Sequence, residues 1–207
     1  MGQPSVNLRD ASPLYEEGVV FARYLDAIAP FYRVMLGRRV VEIIGRAFAQ
    51  PGHDLSYQNT IFAERDGAIV GMISGYATDR HRSSVGPPLR EALGGRATRM
   101  RIVARLMAGQ QWFLGTYADG DFYVQGFAVD EDLRGQGIGS ALMDAMEQRA
   151  RTGGSKRLIL NVGAKNEGAR RLYDRRGMIV EAGWPKLPCM PPFVLRMVSP
   201  LRSLPSE

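Results

Sequence analysis

The chain has 207 residues, 45% hydrophobic and 23% charged, which excludes a disordered chain, a collagen-like repeat and a disulfide scaffold. That length suits one domain spanning residues 1–207 and buries a core without staples, since domains near 150 residues already bury roughly 70% of their unfolded surface. The net charge of +6 suits a phosphate-bearing partner (a nucleic acid, an anionic membrane or a nucleotide-like cofactor) without choosing among them.

Val6 to Arg9 reads as a first strand, ended by Asp10-Ala11-Ser12-Pro13; Ser12 is then expected to cap a helix with Pro13 in its first position. Leu14, Val19, Phe21, Tyr24, Leu25 and Ile28 give that helix an apolar side. Pro30 breaks it, and Val34, Val40, Val41, Ile43, Ile44 and Phe48 predict a second helix. Gln50 to Tyr57 has the composition of a loop. Next, Ile61 to Glu64 and Ile69 to Tyr76 flank Asp66-Gly67, a strong hairpin signal.

Residues 79–115 carry Arg80, Arg82, Arg90, Arg96, Arg99, Arg101 and Arg105 against only Asp79 and Glu91. The segment reads as a helical insertion between the third and fourth strands, with Met100 to Met107 as an amphipathic helix. Its arginines are read as a solvated face or a homodimer contact, or else as a wall selecting an acceptor that bears a carboxylate or phosphate.

Phe122 to Val129 is the next strand. A helix follows from about Ile138 to Arg151, ended by Gly153-Gly154. Leu158 to Val162 has the pattern of a buried strand, and Glu167 to Arg176 that of a helix stopped by Gly177. Met178 to Glu181 and Phe193 to Met197 are two late strands. The order predicts an α/β fold of mixed α+β type: a central mixed sheet flanked by helices.

The stretch from Val129 to Leu142 runs from a strand through an acidic turn and a glycine-rich loop into a helix. Glycines leave backbone N–H groups unshielded, and with a helix N-terminus these suit phosphate oxygens. The ATP/GTP loop requires a Gly-Lys-Ser/Thr ending, but Ser140 follows Gly139 without a lysine. The dinucleotide fingerprint requires G-x-G-x-x-G, but Gly135, Gly137 and Gly139 are spaced G-x-G-x-G. The pattern Arg/Gln-x-x-Gly-x-Gly/Ala is met by Arg134, Gly137 and Gly139. Downstream, Asn166, Ala169, Tyr173 and Gly177 follow the spacing of one helical face. Together these motifs resemble the GNAT superfamily of acetyl-CoA-dependent N-acetyltransferases, specifically over Phe122 to Met178. Met178 stands where relatives commonly place an aromatic residue.

The resemblance implies a coenzyme A site. Its pyrophosphate would lie on Arg134, Gly135, Gln136, Gly137, Ile138, Gly139 and Ser140, and its pantetheine arm along Phe127, Ala128 and Val129 with Asn166 and Ala169. Asn166 is equally suited to cap the following helix. Tyr173 is the implied general acid, a phenol donating as the thiolate leaves. The acceptor is expected to be an amine on a small molecule or peptide. No general base is evident: the Phe122–Val129 strand has no carboxylate, and Asp119, Asp121 and Glu64 are candidates by position only.

Two other classes remain: a non-catalytic acyl-CoA-binding sensor on the same fold, and a nucleic-acid-binding protein using the basic segment. The lack of aromatics interleaved with those arginines weighs against nucleic acid. His53 and His81 cannot build a zinc site without a nearby cysteine, so no metal is expected. No apolar run approaches the roughly 20 residues of a membrane span. Met1 to Asp10 lack a secretory pattern, so a cytoplasmic protein without a membrane partner is expected.

Overall fold

Period-2 alternation sets which side of the sheet each strand residue meets, and the computed structural model of the protein follows it. The structure describes residues 6–81, 102, 105, 108–109, 113 and 115–201. Strands β1 (Asn7–Asp10), β2 (Thr60–Arg65) and β3 (Ala68–Ala77) form an antiparallel meander. Asp66 (φ 51°) and Gly67 (φ 78°) make the hairpin turn between β2 and β3 that the sequence predicts. In the register of that hairpin Phe62 faces Met72 and Ile61 faces Ile73. The first pair enters one core and the second pair the other.

Helices α1 (Tyr15–Ile28), α2 (Phe31–Leu36) and α3 (Val40–Phe48) cover the face of Phe62 and Met72, burying Phe21, Leu25, Ile44 and Phe48 completely. Two expectations are corrected here. The first helix begins at Tyr15, with Leu14 as its N-cap residue and no side-chain cap. Leu14 N–H bonds back to the Ser12 carbonyl (2.7 Å), a tight turn that leaves Ser12 outside the helix, and Glu17 instead accepts from Ser12 N–H (2.7 Å). The second helix is two, separated at Gly37 (φ 77°) by a 3-10 turn over Gly37–Arg39.

α1 crosses α3 at Gly18 and Gly45, and a Cβ on Gly18 would sit 2.5 Å from the Gly45 carbonyl oxygen. That partner is backbone and cannot turn aside. Gly18→Ala is therefore expected to destabilise the fold by about 2 kcal/mol, within the range for overpacked cores. Denaturant unfolding should show a lower midpoint with an unchanged slope.

After the short α4 (Thr78–His81), the insertion expected over 79–115 lies largely outside the described residues; of these, residues 102, 105, 108, 109 and 113 are helical. The chain then continues through β4 (Asp121–Val129), α5 (Ile138–Thr152), β5 (Arg157–Gly163), α6 (Glu167–Arg175), β6 (Ile179–Trp184) and β7 (Val194–Pro200). The seven-stranded mixed sheet runs β1-β2-β3-β4-β5-β7-β6, and only β4 and β5 are parallel neighbours. α5 packs Leu142, Met143 and Met146 on the face of Ile73, Leu158 and Leu160.

Candidate active site

The site begins where the two parallel strands part. β4 pairs with β5 only from Asp121 opposite Arg157 to Val124 opposite Leu160. Beyond that, β4 stays with β3 as far as Val129, while Asn161, Val162 and Gly163 of β5 stay with β7. A bulge promotes the parting. Ser74 and Gly75 of β3 face Gly126 and Val124, so Gln125 is the extra residue on β4, and a bulge bends its strand. Polar backbone groups of both strands are thereby left with no strand partner on the side of the gap.

At the closed end Asp121, 1% exposed, accepts from Arg157 Nε (2.7 Å) and Nη2 (3.0 Å) and from Ala118 N–H (2.8 Å). This ion pair joins the starts of β4 and β5. Asp121 is thus occupied as a structural clamp and is not among the residues lining the gap, nor are Asp119 and Glu64. Glu64 pairs with Arg9 (2.7 Å).

The gap opens into a cleft of about 1440 Å3. Phe127, Ala128 and Val129 line it from β4, Arg134, Gly135 and Gly137 from the loop that follows, and Gly139 and Ser140 from the first turn of α5. Asn166, Ala169 and Tyr173 line it from α6. Gln136 and Ile138 are not in the lining. Ile138 is buried in the core and Gln136 is exposed, accepting from Arg65 Nη1 (3.0 Å).

Glycine is required in the loop. Gly135 (φ 79°) and Gly137 (φ 86°) take left-handed backbone, and Gly137 is the N-cap residue of α5, with no side-chain cap. The first helical turn therefore presents N–H groups that no capping side chain satisfies, beside the cleft. Arg134 Nε donates to the Val129 carbonyl (3.2 Å), holding the loop against the end of β4. Asn166 does cap α6, accepting from Ala169 N–H (3.1 Å), while also facing the cleft.

Tyr173 is 5% exposed, and its ring lies 6.3 Å from that of Phe127. Burial alone pushes its phenol well above the ordinary tyrosine range. The hydroxyl is thus neutral through neutral and mildly alkaline pH, a donor without a protein acceptor among the described residues.

The cleft continues past the bulge to the side of α1 and α2, where Tyr32, Asp54, Tyr76, Tyr117, Tyr123 and Gln125 line it. Sequence reasoning singled out none of these as site residues. Tyr76 and Tyr123 are cross-strand partners whose rings meet edge-on at 5.8 Å. Among the described residues, no group of three His, Cys, Asp or Glu could hold a metal ion, and no helix is long and apolar enough to cross a membrane.

A splayed β4–β5 pair, a glycine loop opening an uncapped helix and a buried tyrosine on the next helix accompany a family match. The acetyltransferase (GNAT) family model matches residues 25–178. This chain belongs to the GNAT acetyltransferases. Over 81 residues it is 40% identical to the mycothiol acetyltransferase of Corynebacterium aurimucosum, covering 37% of this chain and 26% of that protein. Over 55 residues it is 36% identical to the uncharacterized N-acetyltransferase YycN of Bacillus subtilis, covering 27% of this chain and 35% of that protein. The matches thus span about a quarter and a third of those curated relatives.

Among solved structures, an acetyltransferase superposes with a TM-score of 0.64 at 23% identity, covering 95% of this chain and 100% of that one. An N-acetyltransferase from Staphylococcus aureus Mu50 gives 0.63 at 16% identity, covering 93% of this GNAT chain and 100% of its own. Both are likenesses of fold.

Proposed function

We propose that this GNAT protein is an acetyl-CoA-dependent N-acetyltransferase acting on an amine, with residues 1–207 forming one domain. The observation that carries the reading is the uncapped start of α5 beside the gap between β4 and β5. Unsatisfied N–H groups at a helix start bind phosphate oxygens, and the helix dipole adds about 0.3–1 kcal/mol for a nearby anion. The pyrophosphate is assigned to Arg134, Gly135, Gln136, Gly137, Ile138, Gly139 and Ser140. Gln136 and Ile138 enter this set through their backbone only. The pantetheine arm is assigned to the free edge of β4 at Phe127, Ala128 and Val129, with Asn166 and Ala169 opposite. The open space around Gly135 and Gly137, where an added Cβ would meet nothing within 4 Å, accommodates a ligand at that surface.

Acetyl-CoA supplies a thioester whose carbonyl is open to an amine nucleophile. The cleft's role is orientation, holding the donor on one strand edge while the amine approaches from the far side of the bulge. Tyr173 donates to the sulfur as charge develops there. Its pKa exceeds that of a thiol near 8.5, so complete transfer from the phenol alone is uphill. The proton lost by the attacking amine restores the balance.

Calorimetric titration with CoA and acetyl-CoA should show one site per chain, and amines should release free thiol from acetyl-CoA. Absence of coenzyme binding would overturn the reading. Binding without thiol release across a panel of small amines, amino acids and peptides would point to a sensor.

A further inference from the structure

The charged side chains lining the cleft, among the described residues, are Arg134, Arg175 and Asp54. The two arginines belong to the loop and to α6, on the coenzyme side. Asp54 lies at the other end, beneath α2, so the cleft is basic where an anionic coenzyme is assigned and acidic beyond it. Resting on the acetyl-CoA reading above, we propose that Asp54 and the tyrosines around it bind the acceptor as an alkylammonium ion. The acceptor class is then a cationic amine with an apolar or aromatic body and no carboxylate beside the nitrogen.

Asp54 is a buried carboxylate, 5% exposed, with no lysine or arginine paired to it among the described residues; His53 Nδ1 lies 3.9 Å from its Oδ1. Its neighbour His53 has both ring nitrogens engaged: Nδ1 accepts from Leu55 N–H (3.2 Å) while Nε2 meets the Ala47 carbonyl (2.9 Å). Asp54 Oδ1 also accepts from Leu55 N–H (3.1 Å). Burial raises its pKa, offset only in part by the His53 ring and by backbone N–H groups, as expected of a carboxylate kept from water without a full cationic partner. An incoming ammonium supplies that partner.

The neighbouring polar atoms favour a donor as well. Gln125 gives its Nε2 to the Tyr32 hydroxyl (3.3 Å), and Asn161 its Nδ2 to the Tyr123 hydroxyl (3.3 Å). Their oxygens, Gln125 Oε1 and Asn161 Oδ1, are buried with no hydrogen-bond partner among the described residues. Two orphaned acceptors and a carboxylate in one cleft are the kind of groups that the three N–H donors of an ammonium require. The aromatic walls add their ring faces, which attract cations. Tyr117 stacks on Tyr123 at 4.8 Å. Behind them the Arg196 guanidinium lies 5.8 Å from the Tyr117 ring centroid and donates to the carbonyls of Thr116 (2.5 Å) and Phe113; it is not among the residues lining the cleft.

The test uses three probes on the CoA-loaded protein: phenethylamine, its neutral isostere 2-phenylethanol, and its carboxylated counterpart phenylalanine. Calorimetry should show phenethylamine binding at least about tenfold more tightly than either of the others, the scale of one charge-assisted bond. Asp54→Asn keeps the acceptor for Leu55 N–H but removes the charge. In that variant the preference for amine over alcohol should vanish while acetyl-CoA affinity stays within about twofold, a pattern that damage to the fold does not produce. Tighter binding of phenylalanine, no binding of phenethylamine, or an undiminished preference in Asp54→Asn would overturn the proposal. Loss of acetyl-CoA binding by the wild type would instead overturn the coenzyme reading on which it rests.

Discussion

Gly137→Val is expected to abolish coenzyme binding, lowering affinity at least about 100-fold, the equivalent of two lost charge-assisted hydrogen bonds. Two costs coincide at this residue. A β-branched side chain at φ 86° strains the backbone by about 1–3 kcal/mol. The new side chain also projects into the open space in front of the α5 amides, where the phosphates are assigned. Gly154→Val separates the two. Gly154 has φ 78° and the same open surroundings, but lies beyond the C-terminal end of α5 and does not line the cleft. Both variants should lose similar stability in urea, and only Gly137→Val should lose CoA in calorimetry. Equal affinity in Gly137→Val and wild type would remove the loop from the phosphate site.

Tyr173→Phe should lower kcat by about 10- to 100-fold while coenzyme affinity changes little, since general acids contribute roughly 10²–10⁴-fold and hydrogen bonding from water replaces part of that. The substitution keeps the ring packed against Phe127 and removes only a hydroxyl that no protein group among the described residues shares. Its stability cost is therefore small. Steady-state thiol release at saturating amine, with single-turnover rates to confirm that chemistry is limiting, reads the effect. An unchanged chemical rate would leave Tyr173 as a packing residue of the cleft wall.

Local signals in the sequence were sufficient where local chemistry decides structure. Asp66-Gly67 made its hairpin, Gly153-Gly154 and Gly177 ended their helices, and the glycine loop opened α5 as its spacing implied. Ser12 was misread because a proline after a good capping residue also favours a tight turn, and the Leu14 N–H bond to Ser12 won. Gly37 lay within an apolar run of helical period, and its positive φ divided that run in two.

Asp54 was illegible for a different reason. It sits in a stretch of loop composition, and its character comes entirely from what folds over it. Tyr32, Tyr76 and Tyr123 arrive from α2, β3 and β4, and no spacing in the chain announces their meeting. The bulge at Gln125 is equally a property of two strands rather than of one.

The short parallel pairing of β4 with β5 also has a mechanical meaning. Four residue pairs, the Asp121–Arg157 clamp and the Asn161–Tyr123 hydrogen bond stitch the β1–β4 sheet to the β5–β7 sheet along their shared edge. A coenzyme seated in the gap would act as a fifth rung, touching both halves and tying them where the strands diverge. Folding and occupancy are then linked by mass action, and saturation at roughly 100 times Kd adds about 2.7 kcal/mol to the folded state. On the acetyl-CoA reading, the open seam is loosest without that donor, and resistance to proteases should rise when the donor is added.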